Sequence, residues 1–117
     1  MERRTISLRV ALRPDTLLGP GKADLLQGIR DTGSIAAAGR RMGMSYKRAW
    51  YLIDTLNNSF EEPLVVASKG GRTGGGAQLT TPGNAVLDGY RRMEAAATSA
   101  VADELAHLVE LLKPAID

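Results

Sequence analysis

The sequence contains no cysteine and a single histidine, His107. Disulfide scaffolds, zinc fingers, thiolate nucleophiles and histidine-based catalytic dyads each need residues that this chain does not supply. No apolar run approaches the roughly 18 residues of a membrane span. Met1-Glu2-Arg3-Arg4 leads into an alternating segment, not into the apolar block of a signal peptide. A phosphate-cradling nucleotide loop is missing too. The one Gly-Lys pair, Gly21-Lys22, has Thr16 where the first glycine of that motif belongs and Ala23 where its hydroxyl belongs. Acidic neighbours such as Asp103-Glu104 read as a solvated helix face, and nothing sets two carboxylates across a cleft. The reading is of a cytoplasmic protein that is not an enzyme and holds no cofactor or metal, with no membrane partner and no small-molecule effector within this chain.

What is present is one domain's worth of chain, 117 residues with 44% apolar and 24% charged side chains, enough for a single modest core. The net charge is only +2, but it is unevenly distributed. Residues 34–79 carry six basic and three acidic groups, whereas residues 80–117 carry three and six. A basic middle beside an acidic tail suits a local polyanion-binding face, although a solvated surface of uneven charge fits these counts as well.

Ile6, Leu8, Val10 and Leu12 alternate with mostly polar neighbours, the two-residue period of a half-buried strand that Pro14 ends. Residues 14–21 hold two prolines and two glycines and read as a turn or linker, with Leu17 and Leu18 anchored on the core. Leu25, Leu26 and Ile29 predict a helix over 22–31 that stops at Gly33. Ser34 caps a short helix over 35–42, Gly43 breaks it, and Ser45 caps another over 46–57 whose inner stripe is Ala49, Leu52, Ile53 and Leu56. Residues 64–67 and 77–80 form a hairpin around a tip with five glycines between 68 and 76. Thr81 then caps a long helix, with Pro82 in its first turn.

That order predicts a mainly helical fold with a small β wing, a winged helix-turn-helix, over 1–80, and a long dimerisation helix over 81–117. In the long helix Leu87, Tyr90, Met93 or Glu94, Ala97, Val101, Leu105, Leu108 and Leu112 repeat every three or four residues. A helix of some thirty residues is about 45 Å long, so the seam is expected to close on a second copy, although packing on its own domain is the competing reading.

The second helix of a helix-turn-helix pair sends its N-terminal end into the major groove, where it needs donors and cations. Here that end offers Ser45, Tyr46, Lys47, Arg48, Trp50 and Tyr51, all off the core stripe. Trp50 has two readings, a groove contact or a core aromatic tucked under the wing. Arg40 and Arg41 suit the sugar-phosphate backbone. Lys69, Arg72 and Thr73 equip the glycine-rich tip to lie along phosphates or in the minor groove, unless that tip is uninvolved.

The same residues carry a resemblance. Gly33-Ser34-Ile35, the run Gly43-Met44-Ser45-Tyr46-Lys47-Arg48-Ala49-Trp50, Leu56-Asn57, Leu64-Val65, the glycine-rich loop and Leu79-Thr80-Thr81-Pro82-Gly83 resemble the N-terminal winged-helix domain of the ModE family of molybdate-responsive regulators. More distantly they resemble the DNA-binding domain of LysR-type regulators. The resemblance implies a homodimer on double-stranded DNA, binding a palindromic operator and controlling transcription. Molybdate-sensing members respond through C-terminal oxyanion-binding domains that the resemblance, over roughly residues 5–95, does not reach, so molybdate binding is not carried over. The alternative is a dimerising adaptor that works with a separate sensor protein.

Overall fold

The computed structural model describes residues 5–68 and 76–115. Strands β1 (Val10–Arg13) and β2 (Thr16–Leu18) precede helices α1 (Pro20–Thr32), α2 (Ile35–Arg41) and α3 (Tyr46–Ser59). Strands β3 (Val65–Ser68) and β4 (Gly76–Leu79) follow, and then helix α4 (Thr81–Glu110). The mainly helical winged helix-turn-helix architecture is the one expected.

The N-terminal strand differs from its forecast. Residues 6, 8 and 10 are half-buried and alternate with exposed neighbours, yet ladder pairing starts only at Val10, and Leu12 is exposed beside a register shift between Ala11 and Arg13. Its partner, β2, lies within the segment read as a linker. Leu18 is buried but Leu17 is not, because adjacent residues of a strand face opposite sides.

Short-range chemistry sets the helix boundaries. The Gly33 amide donates to the Ile29 carbonyl (2.8 Å) and closes α1. The Ser34 hydroxyl accepts from the Ala37 amide and the Ser45 hydroxyl from the Arg48 amide, both at 3.0 Å, so α2 and α3 each start on a serine cap. Between them Gly43 has φ +68°, a left-handed conformation that side chains with a Cβ rarely adopt, and this produces the tight turn. The cap of α4 is Thr80 and not Thr81. Its hydroxyl accepts from the Gly83 amide (3.0 Å) and donates to the Pro63 carbonyl (2.7 Å), which fixes it one residue earlier.

The core lies where α1, α2 and α3 meet the wing base and the first turns of α4. Leu25, Leu26, Ile29, Ala38, Ala49, Ile53, Leu64 and Leu87 are all at most 1% exposed. Asn57 joins α3 to the wing, accepting from the Leu64 and Val65 amides and donating to the Val65 carbonyl. Tyr90 is fully buried and donates its hydroxyl to the Leu8 carbonyl (2.6 Å), which holds the N-terminal segment against α4. Leu87 and Tyr90 thus correct one expectation: placed in the inter-subunit seam by periodicity, they pack inside their own chain. Arg91 bridges Asp24 of α1 (3.0 Å) and Glu94 (2.9 Å). Partial burial acts to lower its pKa, but the hydrogen bonds and charges of Glu94 and Asp24 outweigh burial and raise it, so Arg91 stays charged.

One contact is tight enough to test. A Cβ at Gly83 would lie 2.1 Å from the Leu64 carbonyl oxygen, the same oxygen that accepts from the Thr80 amide (2.9 Å). Gly83→Ala gains about 0.8–1.0 kcal/mol of helix propensity. The overlap outweighs that gain, and the expected net loss of stability is about 1–3 kcal/mol. Urea denaturation measures it, and an unchanged midpoint would show that this approach is not constrained.

Beyond Tyr90 the long helix leaves the core. Val101 (37% exposed) and Leu108 (54%) are uncovered, while Ala97 and Leu105 are half-buried. Leu112 (69%) is uncovered too but lies past Glu110, where α4 ends short of the helix expected to reach residue 117. The Cα radius of gyration, 16.9 Å, exceeds the roughly 13 Å of a compact chain of this length because α4 projects.

Candidate nucleic-acid interface

The α2–Gly43–α3 unit gives its second helix a rigid seat. Ala49, Ile53 and Leu56 hold α3 on the core, which turns the other side of its first two turns outward. Ser45, Tyr46, Lys47, Arg48, Trp50 and Tyr51 are all exposed there. The two readings of Trp50 are thereby resolved: at 43% exposure it is a surface residue and not part of the core.

Four of these side chains meet in two pairs. The Trp50 indole N–H donates to the Tyr46 hydroxyl, and the two rings meet edge to face, with centroids 6.4 Å apart at 81°. The Arg48 guanidinium carbon lies 5.8 Å from the centre of the Tyr51 ring, within cation–π range. The sequence suggested an indole donor available to the duplex, but in the structure that donor is spent within the helix. Positions 46 and 50, four apart, were a signal for it.

A shallow cleft runs beside the aromatic pair. Ser34, Ile35 and Ala36 from the start of α2, Tyr46 and Trp50 from α3, and Gly76 and Ala77 from the wing base line it. The Ala77 amide donates to the Gly33 carbonyl (2.9 Å), so the base of the wing is fastened to the corner between α1 and α2. The start of α2 was read from sequence only as a capped end. Its place beside Tyr46 and Trp50 depends on the crossing of two helices, which no local pattern reveals.

Arg40 and Arg41 close α2, both exposed. Arg41 already pairs with Asp31 of α1 (3.2 Å). Hydrogen bonds from Gln27 and from Arg41 hold the Asp31 carboxyl below the usual carboxylate range, so this exposed pair stays ionised into mild acid and is lost only as pH falls through that lowered value. Arg41 would meet a phosphate by exchanging one anion for another. Lys69, Arg72 and Thr73, expected at the wing tip, lie outside the described residues. Among the described residues no group of histidine, cysteine and carboxylate side chains is arranged to hold a metal ion, and no helix is long and apolar enough to cross a membrane.

A capped helix pair turning on one glycine, an outward helix end bearing cations and aromatics, and a hairpin bonded to its flank define a winged helix-turn-helix DNA-binding domain. The pattern of bacterial regulatory helix-turn-helix proteins, lysR family, matches residues 23–84, and the chain belongs to that family. It is 48% identical over 84 residues to the molybdenum-pterin-binding protein MopA of Rhodobacter capsulatus, an alignment covering 72% of this chain and 32% of MopA. It is 46% identical over 88 residues to the molybdenum transport protein ModE of Azotobacter vinelandii, covering 74% and 33%. With the DNA-binding transcriptional dual regulator ModE of Escherichia coli K12 the identity is 36% over 85 residues, covering 73% and 32%. The chain therefore spans about a third of the length of the curated relatives it matches. Among solved structures, the chain is similar in fold to the CbnR_DBD–DNA complex, with TM-score 0.57 and 24% identity over 74% of this chain and 95% of that one.

Proposed function

We propose that the chain is a ModE-like transcriptional regulator that binds a palindromic operator as a homodimer. Residues 1–80 form its DNA-binding domain and residues 81–117 the element that pairs the subunits. Tyr46 to Tyr51 enter the major groove, Ser45 sits at the groove edge, and Arg40 and Arg41 meet the backbone. The wing, with Lys69, Arg72 and Thr73, lies along the flanking strand, and Ala97, Val101, Leu105, Leu108 and Leu112 form the dimer seam. The molybdenum context in the relatives' names belongs to the proposal as the setting of the regulated genes.

The observation that carries this reading is the joint exposure of Tyr46, Lys47, Arg48, Trp50 and Tyr51 on the leading turns of a serine-capped second helix. A solvated helix face explains the two cations but not three large aromatics at 43–62% exposure beside them.

The test is selection of duplexes from a random-sequence library, followed by titration of the recovered duplex against salt. With about four phosphates neutralised per subunit, the slope of log affinity on log salt is expected near −3 to −4 per subunit. A flat slope, or recovery of no duplex, rejects DNA reading and leaves the adaptor as the better account.

A further inference from the structure

By sequence Tyr46 and Trp50 are two separate offerings to a groove, but their geometry joins them. An indole carries one polar group, its N–H, and that of Trp50 is given to the Tyr46 oxygen. A phenol hydroxyl accepts and also donates. With a lone pair occupied by Trp50, the Tyr46 hydroxyl retains its own proton to give. The edge-to-face packing of the rings fixes the same arrangement a second time. Both residues are exposed, at 56% and 43%, on the wall of the cleft shared with the start of α2 and the wing base.

We infer that Trp50 is a positioning residue for DNA recognition, orienting the Tyr46 hydroxyl as a donor to an acceptor atom on the duplex, while its own ring makes only apolar contact. This inference rests on the proposed DNA reading. The acceptor is a phosphate oxygen or a purine N7, both of which take a hydrogen bond and carry no proton of their own. Chained hydrogen bonds polarise one another, so a hydroxyl that accepts from an indole is a stronger donor than a free one. The Tyr51 hydroxyl has no such helper among the described contacts, its ring being packed instead by Arg48.

The experiment uses the full chain and the tightest duplex recovered from the random-sequence library. Tyr46→Phe and Trp50→Phe are each expected to lower affinity by about 2- to 13-fold, the range for one hydrogen bond. The double variant is expected to be no weaker than the weaker single one, because both changes remove the same oriented donor. The chain has one tryptophan, so its indole N–H gives a single side-chain resonance in the free protein, expected to move in Tyr46→Phe and not in Tyr51→Phe. Methylphosphonate and 7-deazapurine substitutions then separate the two acceptors, since the wild type loses its advantage over Tyr46→Phe on whichever duplex lacks the partner atom. Losses that multiply in the double variant, an unmoved indole resonance, or an advantage that survives both substitutions would overturn the inference while leaving DNA binding intact. A wild-type chain that recovers no duplex overturns both readings.

Discussion

Replacing Lys47 and Arg48 together with alanine is expected to cost about 1–3 kcal/mol of operator affinity for each side chain that contacts a base, with the fold intact. Both side chains are exposed on α3, away from the buried stripe of Ala49, Ile53 and Leu56. Surface changes of this kind alter stability by no more than about 0.5 kcal/mol. Fluorescence anisotropy on the selected duplex measures the loss, and the thermal midpoint checks the fold. The single variants divide the effect. A residue that touches only phosphate weakens all duplexes alike and reduces the salt slope by about 1, whereas one that reads a base relaxes preference at one position. An affinity within twofold of wild type would remove both residues from the interface.

If the chain pairs as proposed, Val101→Lys with Leu108→Lys is expected to yield monomers without unfolding the domain. Both side chains are exposed within their own chain, at 37% and 54%, so lysine there disturbs no internal packing. They stand seven residues apart, on one stripe of α4, and each charge would be buried against its counterpart in a paired helix. Sedimentation equilibrium reads the mass. Affinity for a two-half-site duplex should fall by about 10²–10⁴, because the second half-site contact is no longer intramolecular. Affinity for an isolated half-site should stay constant. Persistence of the dimer would place the subunit interface elsewhere.

The features most readily foreseen from sequence were those decided within four or five residues. Ser34, Ser45, Gly33 and Gly43 each act on their own turn of chain, and all four stand where expected. The misplaced cap shows the limit of local reading. Thr80 and Thr81 are equivalent as residue types, and the choice between them is made by the Pro63 carbonyl, seventeen residues away. The seam through Leu87 and Tyr90 failed for a related reason: a three-and-four repeat identifies a face that is buried but not what covers it. In α4 the repeat runs unbroken from the domain's own core into solvent. The short strand β2 has no alternating pattern long enough to detect, and it exists because β1 folds back on it. Among the candidate interface residues, exposure followed from periodicity, whereas the pairing of Trp50 with Tyr46 and of Arg41 with Asp31 needed coordinates.

The continuity of α4 has a bearing on operator architecture. The helix runs from Thr81 to Glu110 with its only proline in the first turn, and its early turns are held on the domain by the buried Leu87 and Tyr90, with the Arg30–Asp88 and Arg91–Asp24 pairs to α1 beside them. In the proposed dimer, each reading head would therefore sit on a stiff beam with no joint between it and the axis of symmetry. Such a frame behaves as a caliper of fixed opening. B-DNA turns once in about 10–10.5 base pairs, so half-sites in register with the caliper present the same side of the duplex. A spacer altered by half a turn would present one of them on the far side, out of reach of a frame that cannot twist to follow it.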